Sequence, residues 1–401
     1  MENFEPNDEQ IFATYIGENW YHKMEKQTLE ISGPAGSGKT SLVRYLIERL
    51  KLDIDDVLFC AFSGKAVSQL AKHGLPAKTI HSAIYEYVKE PKRDEDGRII
   101  YKKNGKAEMV SSFVLRDYLP SHIKLIVIDE GSMVNMEIAK DILSFGIPII
   151  VLGDLNQLPP VFGNEYFLKD PDIKLKKIMR QHENDPIIQL SQMVLKGLPL
   201  IPGIYGRSCV MTKKDMTLDL IRRHDIVLTG TNRTRLQVND LFRSKIKGYK
   251  TLDYPHHDEK IICRRNDWNR EIDSKHGIYL TNGTAGYVEY CDKKSFTGDT
   301  LRIDFRPDFI NKTIRNIPID YKRLKTQNMD SEAGIRDEIM RKRGIDAFEY
   351  AYAITCHLSQ GSQWPSVLFL AERLFRDELD QRKFLYTGIT RAMKSITIVL
   401  N

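Results

Sequence analysis

The chain has 401 residues, a length that favours two or three compact units over a single domain. Hydrophobic residues make up 41% and charged residues 28%, which is typical of soluble proteins with a substantial core, and no stretch approaches the roughly 20 apolar residues of a membrane helix. The net charge of +6 is compatible with a polyanionic partner but does not require one.

The N-terminal sequence MENFEPNDEQ is acidic and lacks the pattern of a signal peptide. The five cysteines are scattered and show no metal-ligand spacing. We interpret them as free thiols, which predicts a protein of a reducing, cytoplasmic compartment.

The first half of the chain alternates predicted strands and helices. Continuous apolar runs such as Leu125–Ile128 are typical of strands buried on both faces of a parallel sheet. Strands of this kind that alternate with helices predict a parallel α/β sheet. The predicted elements are a helix within 1–24 whose apolar face carries Phe4, Ile11, Phe12, Tyr15 and Ile16, helices over 40–50 and 66–72, and strands at 29–31, 57–61, 125–128 and 147–152.

Residues 33–40 read GPAGSGKT, a complete phosphate-binding loop placed between a predicted strand and a predicted helix. Backbone N–H groups of such a loop and the following helix N-terminus bind phosphate, and glycine lets the backbone close around the anion. Lys39 is expected to reach the β- and γ-phosphates, and the Thr40 hydroxyl to bind magnesium. The predicted nucleotide-contacting residues are Gly33, Pro34, Ala35, Gly36, Ser37, Gly38, Lys39, Thr40 and Ser41.

Two carboxylates follow the apolar run that ends at Ile128. A carboxylate at the end of a buried strand can reach the magnesium shell, and we assign this role to Asp129. A neighbouring carboxylate can polarise the attacking water, and we assign this role to Glu130. Together with the phosphate loop, the pair predicts hydrolysis of a nucleoside triphosphate, without separating a motor from a kinase or a switch GTPase.

Residues 89–111 interrupt the α/β pattern with turn signals at Asp96-Gly97 and Asn104-Gly105, which predict an inserted polar β-hairpin or short meander. A second α/β unit begins near Ile226–Thr229. Residues 258–345 contain short β-like runs and tight turns, and α/β character returns from Tyr350 to the final strand, 396–400. The chain therefore predicts two parallel α/β units, each with an insertion.

Several motifs occur in order along nearly the whole chain: KTIHSAI at 78–84, VIDEGSM at 127–133, GDLNQLPPV at 153–161, HLSQGS at 357–362 and LYTGITRA at 385–392. With the phosphate loop they resemble superfamily 1 helicases, in particular the 5′-to-3′ branch that includes the RecD-like enzymes and the phage Dda helicase. The resemblance implies an ATP-dependent DNA helicase that uses ATP and Mg²⁺, translocates 5′ to 3′ on single-stranded DNA and unwinds duplexes.

The resemblance also implies the architecture. It predicts two RecA-like parallel-sheet P-loop domains, with an inserted hairpin that separates strands (the pin) and an inserted small SH3-like β-barrel. The expected boundaries are 1–180 for the first domain with the pin at 89–111, 181–257 with 346–401 for the second, and 258–345 for the barrel. Residues 89–111 could instead form a solvated loop.

Four residues outside the loop acquire nucleotide roles from the resemblance. Gln10 matches a glutamine that reads adenine, and Gln157 one that senses the γ-phosphate. Arg180 and Arg391 match arginines that reach the γ-phosphate across the cleft, where a guanidinium stabilises charge on the transferring phosphoryl group. As simpler alternatives, Gln10 could cap a surface helix and Arg180 could be an ordinary surface arginine.

The resemblance places single-strand contacts on both units. One departure is Phe62, with Ser63, where the family carries proline and threonine; Phe62 could pack in the core or stack on a base. His81 could be a structural histidine. Such hydroxyl, amide and backbone contacts position a strand without reading its sequence. The predicted DNA-binding residues are Ser63, Gly64, Lys65, Thr79 and His81 on the first unit, and Thr231, Asn232, Arg233, Thr355, His357 and Ser359 on the second.

The expected partners are single-stranded and forked DNA together with a replication or recombination protein, and we expect a monomer with no membrane association in a bacterial or phage-infected cell. Three other functions stay open at this point. A related motor could displace proteins from DNA without separating strands, or act on RNA. A phosphate-loop kinase or switch would hydrolyse nucleotide without moving along nucleic acid.

Overall fold

The computed structural model describes residues 5–94, 96–101, 104–159, 166–177, 185–250, 253–326 and 339–400. The strands are β1 (Thr28–Ser32), β2 (Val57–Ala61), β3 (Ala77–Thr79), β4 (Tyr85–Pro91), β5 (Met109–Leu115), β6 (Leu125–Asp129), β7 (Ile149–Gly153), β8 (Ile173–Lys174), β9 (Gly203–Tyr205), β10 (Ser208–Thr212), β11 (Ile226–Thr229), β12 (Lys260–Cys263), β13 (Asp267–Asp273), β14 (Ile278–Leu280), β15 (Ala285–Thr297), β16 (Thr300–Pro307), β17 (Ile314–Asp320), β18 (Phe348–Tyr350), β19 (Ala353–Thr355), β20 (Trp364–Ala371) and β21 (Ala392–Leu400). The helices are α1 (Asp8–Lys23), α2 (Lys39–Arg49), α3 (Gly64–Lys72), α4 (Ile80–Ile84), α5 (Met136–Leu143), α6 (Pro186–Leu195), α7 (Leu218–Arg223), α8 (Asn232–Leu241), α9 (Tyr321–Thr326) and α10 (Glu378–Ile389), with short 3₁₀ turns such as His357–Ser359.

The first sheet has the order β3-β2-β6-β7-β1-β8, and all its strand pairs are parallel. Its apolar runs are continuous because the two sheet faces bury alternate residues. In β6, Leu125 and Val127 pack in the core beneath α1 and α2, whereas Ile126 and Ile128 pack in the core on the opposite face. The predicted parallel α/β sheet is confirmed.

The second sheet has the order β19-β11-β20-β21-β10-β9, in which only the edge pair β9–β10 is antiparallel. Its strands also alternate between two cores. In β20, Val367 and Phe369 face one core and Leu368 and Leu370 face the other. The chain therefore contains two doubly wound α/β units.

The apolar face predicted for the first helix is wrong at three of its five residues, whereas Ile16 packs against the core and Phe4 lies outside the described residues. Ile11, Phe12 and Tyr15 are more than half exposed. The buried residues of the helix are Gln10, Ala13, Thr14, Gly17 and Trp20. Gly17 lies on α2 so closely that a Cβ there would be 2.6 Å from Leu46. Close backbone approach decides which face is buried, and hydrophobic spacing alone does not capture it.

A third sheet is antiparallel, with the order β17-β16-β15-β12-β18. Its two ends meet, because the N–H of Asp346, just before β18, donates to the carbonyl of Pro318 in β17, and the N–H of Asp320 donates to the carbonyl of Asp346 (2.8 Å each). A separate two-stranded ribbon, β13–β14, extends from this sheet toward the first unit.

Strands β4 and β5 form a regular antiparallel ladder from Tyr85 paired with Leu115 to Pro91 paired with Met109. Beyond it, single bridges join Arg93 to Ile99 and Tyr101 to Ala107. Gly97 and Gly105 have φ of 80° and 78° at the two turn signals, a backbone conformation that favours glycine. The predicted segment 89–111 thus continues a ladder that begins at Tyr85, four residues before the predicted start.

The five cysteines are free thiols, as predicted. In the described part of the chain, no helix has the length and apolar character needed to span a bilayer.

Candidate nucleotide and strand-binding site

The predicted site residues follow the carboxyl ends of parallel strands, where ligands bind in open α/β sheets. The phosphate loop follows β1, the two carboxylates end β6, and Asp154 follows β7. These three strands are adjacent in the first sheet, and β2 and β3, which precede the predicted strand contacts, lie at one edge of it. The residues predicted to contact nucleotide and the residues predicted to contact a DNA strand therefore follow different strands of one sheet.

The phosphate loop has the backbone that its glycines predict. Gly36 and Gly38 have φ of 85° and 78°, and α2 begins at Lys39. The Lys39 Nζ donates to the carbonyls of Gly33 (2.6 Å) and Pro34 (3.2 Å).

Ser37 provides a test of whether the loop fits a phosphate. Its hydroxyl is buried, and among the described residues it has no hydrogen-bond partner. A Cβ at residue 33 would lie 2.6 Å from this hydroxyl, so only glycine fits there. An unpaired buried donor inside a ring of backbone N–H groups suits an anion with several acceptor oxygens.

Asp129 and Glu130 lie deep at the end of β6. Glu130 is in the left-handed region with φ of 54°, and its backbone N–H donates to the Asp129 carboxylate (3.0 Å). Burial raises the pKa of both carboxyls, and Asp129 raises that of Glu130 further. The positive charges of Arg391 and Lys39 act in the opposite direction on the pKa of Glu130. Strained backbone of this kind is commonly kept at functional sites.

Asp154 joins the two units through one tyrosine. The Tyr386 hydroxyl donates to the Asp154 Oδ2 (2.7 Å) and accepts from the N–H of Ala35 in the phosphate loop (3.2 Å). Gln157 is buried, and its Nε2 lies 3.5 Å from the same Asp154 oxygen. A residue of α10 in the second unit thus contacts both the loop and the segment predicted to sense the γ-phosphate.

Arg391 is buried at the end of α10, and its guanidinium is held by its own unit. Nε donates to the carbonyl of Thr387 (3.1 Å), Nη1 to that of Ser362 (3.3 Å) and Nη2 to the Thr390 hydroxyl (3.2 Å). Its charge acts on Glu130 of the first unit, as described above. The structure therefore brings Arg391 to the nucleotide cleft from the opposite unit.

Gln10 caps the first helix and also contacts the phosphate loop, while its predicted role in reading adenine stays a prediction. Its Oε1 accepts from the N–H of Asn7 in a capping box, while its Nε2 donates to the carbonyl of Ser37 in the phosphate loop (3.2 Å). The side chain is buried, with 1% exposure, so Gln10 is not a surface residue of the helix. Arg180 lies outside the described residues.

The residues of the first unit that are predicted to contact DNA mostly form contacts within the protein. Ser63 caps α3 by accepting from the N–H of Ala66. Gly64 is buried so closely against Ile278 of the β13–β14 ribbon that a Cβ would be 2.6 Å away. The Thr79 hydroxyl donates to the carbonyl of Gly277 in the same ribbon (2.9 Å).

Lys65 links three parts of the molecule. Its Nζ forms an ion pair with Asp308 after β16 (3.0 Å) and lies 4.5 Å above the ring of Trp364 in the second unit. Its side chain is 14% exposed. In this arrangement the lysine charge is already neutralised, so a phosphate contact would require it to leave Asp308.

His81 lies in a cluster of aromatic rings. Its imidazole is 5.1–6.2 Å, centroid to centroid, from the rings of Phe62, Tyr85, Phe113 and Trp268. Burial among these rings lowers its pKa. The surroundings are those of a structural histidine, and the same cluster contains Phe62, whose ring packs against the first unit's core.

The second unit's predicted contacts lie at the ends of β11 and β19. Thr231 caps α8, the Asn232 Oδ1 accepts from Arg235, and Arg233 is exposed. The Thr355 hydroxyl accepts from the N–H of Leu358 (3.4 Å). The structure places these side chains at the same edge of the second sheet.

His357 and Ser359 lie on the 3₁₀ turn after β19, which we call the strand turn (residues 357–362). Ser359 is fully buried and its hydroxyl donates to the carbonyl of Cys356, and burial lowers the pKa of His357. A Cβ on Gly361 would be 3.3 Å from the Ser63 hydroxyl. The predicted strand segments of the two units therefore meet here.

Sequence reasoning did not single out four residues that organise this site: Tyr386, Thr387, Gln360 and Trp268. The first three lie inside the motifs LYTGITRA and HLSQGS, so their motif membership was a signal. The sequence carried no signal that these residues form contacts between the units, because their partners lie more than 150 residues away.

The fold and the site define a P-loop nucleotide-binding protein with two parallel α/β units facing one cleft. An AAA domain model matches residues 19–163, and a UvrD-like helicase C-terminal domain model matches residues 350–399. These matches and the relatives below confirm the resemblance to superfamily 1 helicases that the motifs predicted.

The curated relatives that match in sequence include two DNA helicases. The chain is 25% identical over 378 residues to the ATP-dependent RecD2 DNA helicase of Deinococcus radiodurans, covering 90% of this chain and 45% of that protein. It is 27% identical over 187 residues to the ATP-dependent DNA helicase dda of Enterobacteria phage T4, covering 44% of this chain and 39% of that protein. The chain thus spans less than half the length of either relative.

A solved structure of two Pif1 helicases at forked double-stranded DNA has a TM-score of 0.51 and 18% identity, covering 98% of this chain and 92% of that chain. At this identity the likeness shows the fold, which agrees with the RecA-like parallel sheets that the sequence predicted.

Proposed function

We propose that this chain is an ATP-dependent DNA helicase motor that translocates 5′ to 3′ on single-stranded DNA and unwinds duplexes. The observation that carries the proposal is the junction of the two units at the nucleotide cleft. Tyr386 contacts the phosphate loop and Asp154, and the charge of Arg391 reaches Glu130. A kinase or switch does not need γ-phosphate contacts from a second α/β unit, whereas a motor needs them to turn hydrolysis into relative movement.

The first unit would bind the nucleotide. The loop N–H groups and the unpaired Ser37 hydroxyl would hold the phosphates, and Gln10 is anchored on the loop where it could contact the base. Thr40 at the start of α2 and Asp129 at the end of β6 are the residues that would hold Mg²⁺, which when bound neutralises charge between the β- and γ-phosphates.

Hydrolysis would use groups from both units. Glu130 would accept the proton of the attacking water. Lys39, released from the loop carbonyls, would pair with phosphate oxygens, and Gln157 would sense the γ-phosphate. Arg391, with Arg180, would stabilise charge on the transferring phosphoryl group, a contribution of roughly 10³–10⁵ in rate in other phosphoryl-transfer enzymes.

Single-stranded DNA would cross the sheet edges that carry Ser63 and Thr79 on the first unit and the strand turn on the second. These segments adjoin at Gly361 and Ser63. Opening and closing of the cleft would then change the distance between two grips on one strand.

We assign domains from the sheets. The first comprises 1–180, the second 181–257 and 351–401, and the inserted domain 258–350, because β18 pairs with β12 and so extends the inserted sheet beyond residue 345. The joined ends of that sheet support an SH3-like barrel, and the β4–β5 ladder supports a pin. Both would act at the fork, with the protein working as a monomer alongside a replication or recombination protein.

The test is ATPase activity with and without single-stranded DNA or RNA, followed by unwinding of duplexes with a 5′ or a 3′ tail. We expect stimulation by single-stranded DNA and unwinding of the 5′-tailed duplex. Stimulation by RNA alone, protein displacement without unwinding, or ATPase independent of nucleic acid would each contradict the proposal and identify the corresponding alternative. Unwinding of only 3′-tailed duplexes would contradict the polarity.

A further inference from the structure

One residue of the first unit, Leu158, is held through both of its backbone polar groups by the second unit. The N–H of Leu158 donates to the Thr387 hydroxyl (2.8 Å), and the carbonyl of Leu158 accepts from the Gln360 Nε2 (2.5 Å). The Leu158 side chain is 2% exposed and packs in the second unit's core with Ile187 and Leu190. A loop residue of one unit is therefore inserted into the other.

The residues that precede Leu158 in sequence connect it to the nucleotide cleft. Gln157 precedes Leu158, and Asp154 at the start of the loop bonds to Tyr386, the neighbour of Thr387. The carbonyl of Thr387 in turn accepts from the Arg391 Nε. Movement of residues 154–158 in response to the γ-phosphate would therefore act directly on the hydrogen bonds of the Leu158 backbone.

The strand end begins at Gln360, which belongs to the strand turn. Past Gln360, the carbonyl of Ser362 accepts from Arg391, and the Gln363 Nε2 donates to the carbonyl of Thr390 (3.3 Å). The strand turn is thus bonded to the first unit's loop at one end and to the arginine segment at the other. A shift of the strand turn relative to either segment would therefore strain these hydrogen bonds.

We infer that Gln360 is a positioning residue that couples nucleotide state to the grip on the DNA strand, by holding the strand turn to the Leu158 carbonyl. Gln360 lies outside the phosphate loop and the acidic pair, so its amide is not needed for hydrolysis itself. Thr387 is the second half of the same connection. The inference rests on the proposed function, because it assumes that the strand turn grips single-stranded DNA.

The test replaces Gln360 with Glu, which keeps the shape but places an acceptor opposite the Leu158 carbonyl. We expect stimulation of the ATPase by single-stranded DNA to fall at least tenfold. The readout is the ratio of stimulated to basal ATPase, and nucleotide-free DNA affinity is measured on the same preparation. The matched control is Gln189→Glu, the same change at an exposed position of the same unit, which should behave as wild type.

Thr387 supplies an independent pair of variants. Thr387→Val removes the hydroxyl without changing the volume and should reproduce the loss of stimulation, whereas Thr387→Ser should retain it. Wild-type stimulation in Gln360→Glu would overturn the inference. So would equal losses of basal activity and thermal stability, which indicate a structural role, or a selective loss of DNA affinity, which indicates direct contact. Lack of stimulation in the wild-type protein would instead overturn the proposed function.

Discussion

The charged side chain of Arg391 in the cleft is held in place by hydrogen bonds within the protein. Arg391 satisfies its guanidinium with three acceptors of its own unit while its charge reaches Glu130. Preorganised donors of this kind cost little reorganisation during reaction and act strongly where water is excluded. Under the proposed function, the planar guanidinium of Arg391, and not only its positive charge, should be required.

Arg391→Lys should lower ATPase activity by roughly 10³-fold or more, because lysine keeps the charge but cannot reproduce the fork that stabilises the transferring phosphoryl group. Nucleotide-free binding to single-stranded DNA should stay within threefold, as measured by fluorescence anisotropy. Arg376→Lys, at an exposed position just before α10, is the matched control. Normal hydrolysis combined with lost DNA binding would reverse the role assigned to Arg391.

The aromatic surroundings of His81 predict a pH-dependent stability. Burial lowers its pKa from the ordinary 6.5, so the folded protein favours the neutral ring. The unfolded chain takes up the proton first as pH falls, so the contribution to stability is complete above about 6.5 and is lost below it. His81→Phe should therefore lose less thermal stability than wild type between pH 8 and pH 5.5. An equal loss in both proteins would show that other groups, such as His357, cause the dependence.

Among the elements, the inserted sheet is fastened to both α/β units. The β13–β14 ribbon contacts the first unit at Gly64 and Thr79, and Trp268 of this ribbon lies 4.7 Å from the ring of Phe113 at the base of the β4–β5 ladder. Lys65, Asp308 and Trp364 form the other connection. The ladder base is thus braced by an element far away in sequence.

The Lys65–Asp308 pair predicts competition with DNA phosphate. Asp308→Asn should raise affinity for single-stranded DNA several-fold, because Lys65 no longer has to leave a carboxylate. The dependence of log affinity on log salt should steepen by about 0.7, the value of one additional phosphate contact on a single strand. Asp292→Asn, on β15 of the same sheet, is the control. An unchanged salt dependence with reduced thermal stability would show that the pair is only structural.

Replacement of Arg98–Glu108 by a short Gly-Ser turn should reduce unwinding of a 5′-tailed duplex at least tenfold. The change removes the Gly105 turn and the segment that follows the Gly97 turn, but it leaves the ladder from Tyr85 to Pro91 intact. ATPase stimulated by single-stranded DNA should stay within a few-fold, because the nucleotide cleft is untouched. Both activities should be measured on one preparation. Undiminished unwinding would show that the strands separate elsewhere, for example at the five-stranded sheet.

At the scale of the whole molecule, two parallel sheets present their ligand-binding edges to one cleft, and the net charge is +6. The edge predicted to bind a DNA strand carries hydroxyls, amides and backbone groups, which suit phosphate and sugar and do not read bases. The residues predicted to contact nucleotide lie in the cleft. Under the proposed function, DNA binding and hydrolysis therefore use neighbouring but different residues.

This separation predicts a binding mode that depends on salt but not on sequence. Affinity for single-stranded DNA should fall as salt rises, with log affinity decreasing by about 0.7 per phosphate contact per log unit of salt. Oligonucleotides of different sequence should bind within a few-fold of each other. A flat salt dependence, or a strong preference for one sequence, would contradict tracking along the backbone.

The sequence by itself determined the parts that depend on local order. Glycine spacing in GPAGSGKT specifies the loop backbone, and the apolar run before Asp129 specifies a strand buried on both faces, because both patterns act over a few neighbouring residues. The order of the motifs along the chain was sufficient to predict two parallel α/β units with insertions.

The tertiary structure alone decided which side chains share a partner. It showed that Lys65 is paired with Asp308, that His81 packs among rings, and that α1 buries Gly17 while Ile11, Phe12 and Tyr15 stay exposed. It also revealed the Leu158 connection, whose two bonds span 229 and 202 residues. Such contacts depend on close packing between distant segments, and a one-dimensional pattern of residue types carries no information about that packing.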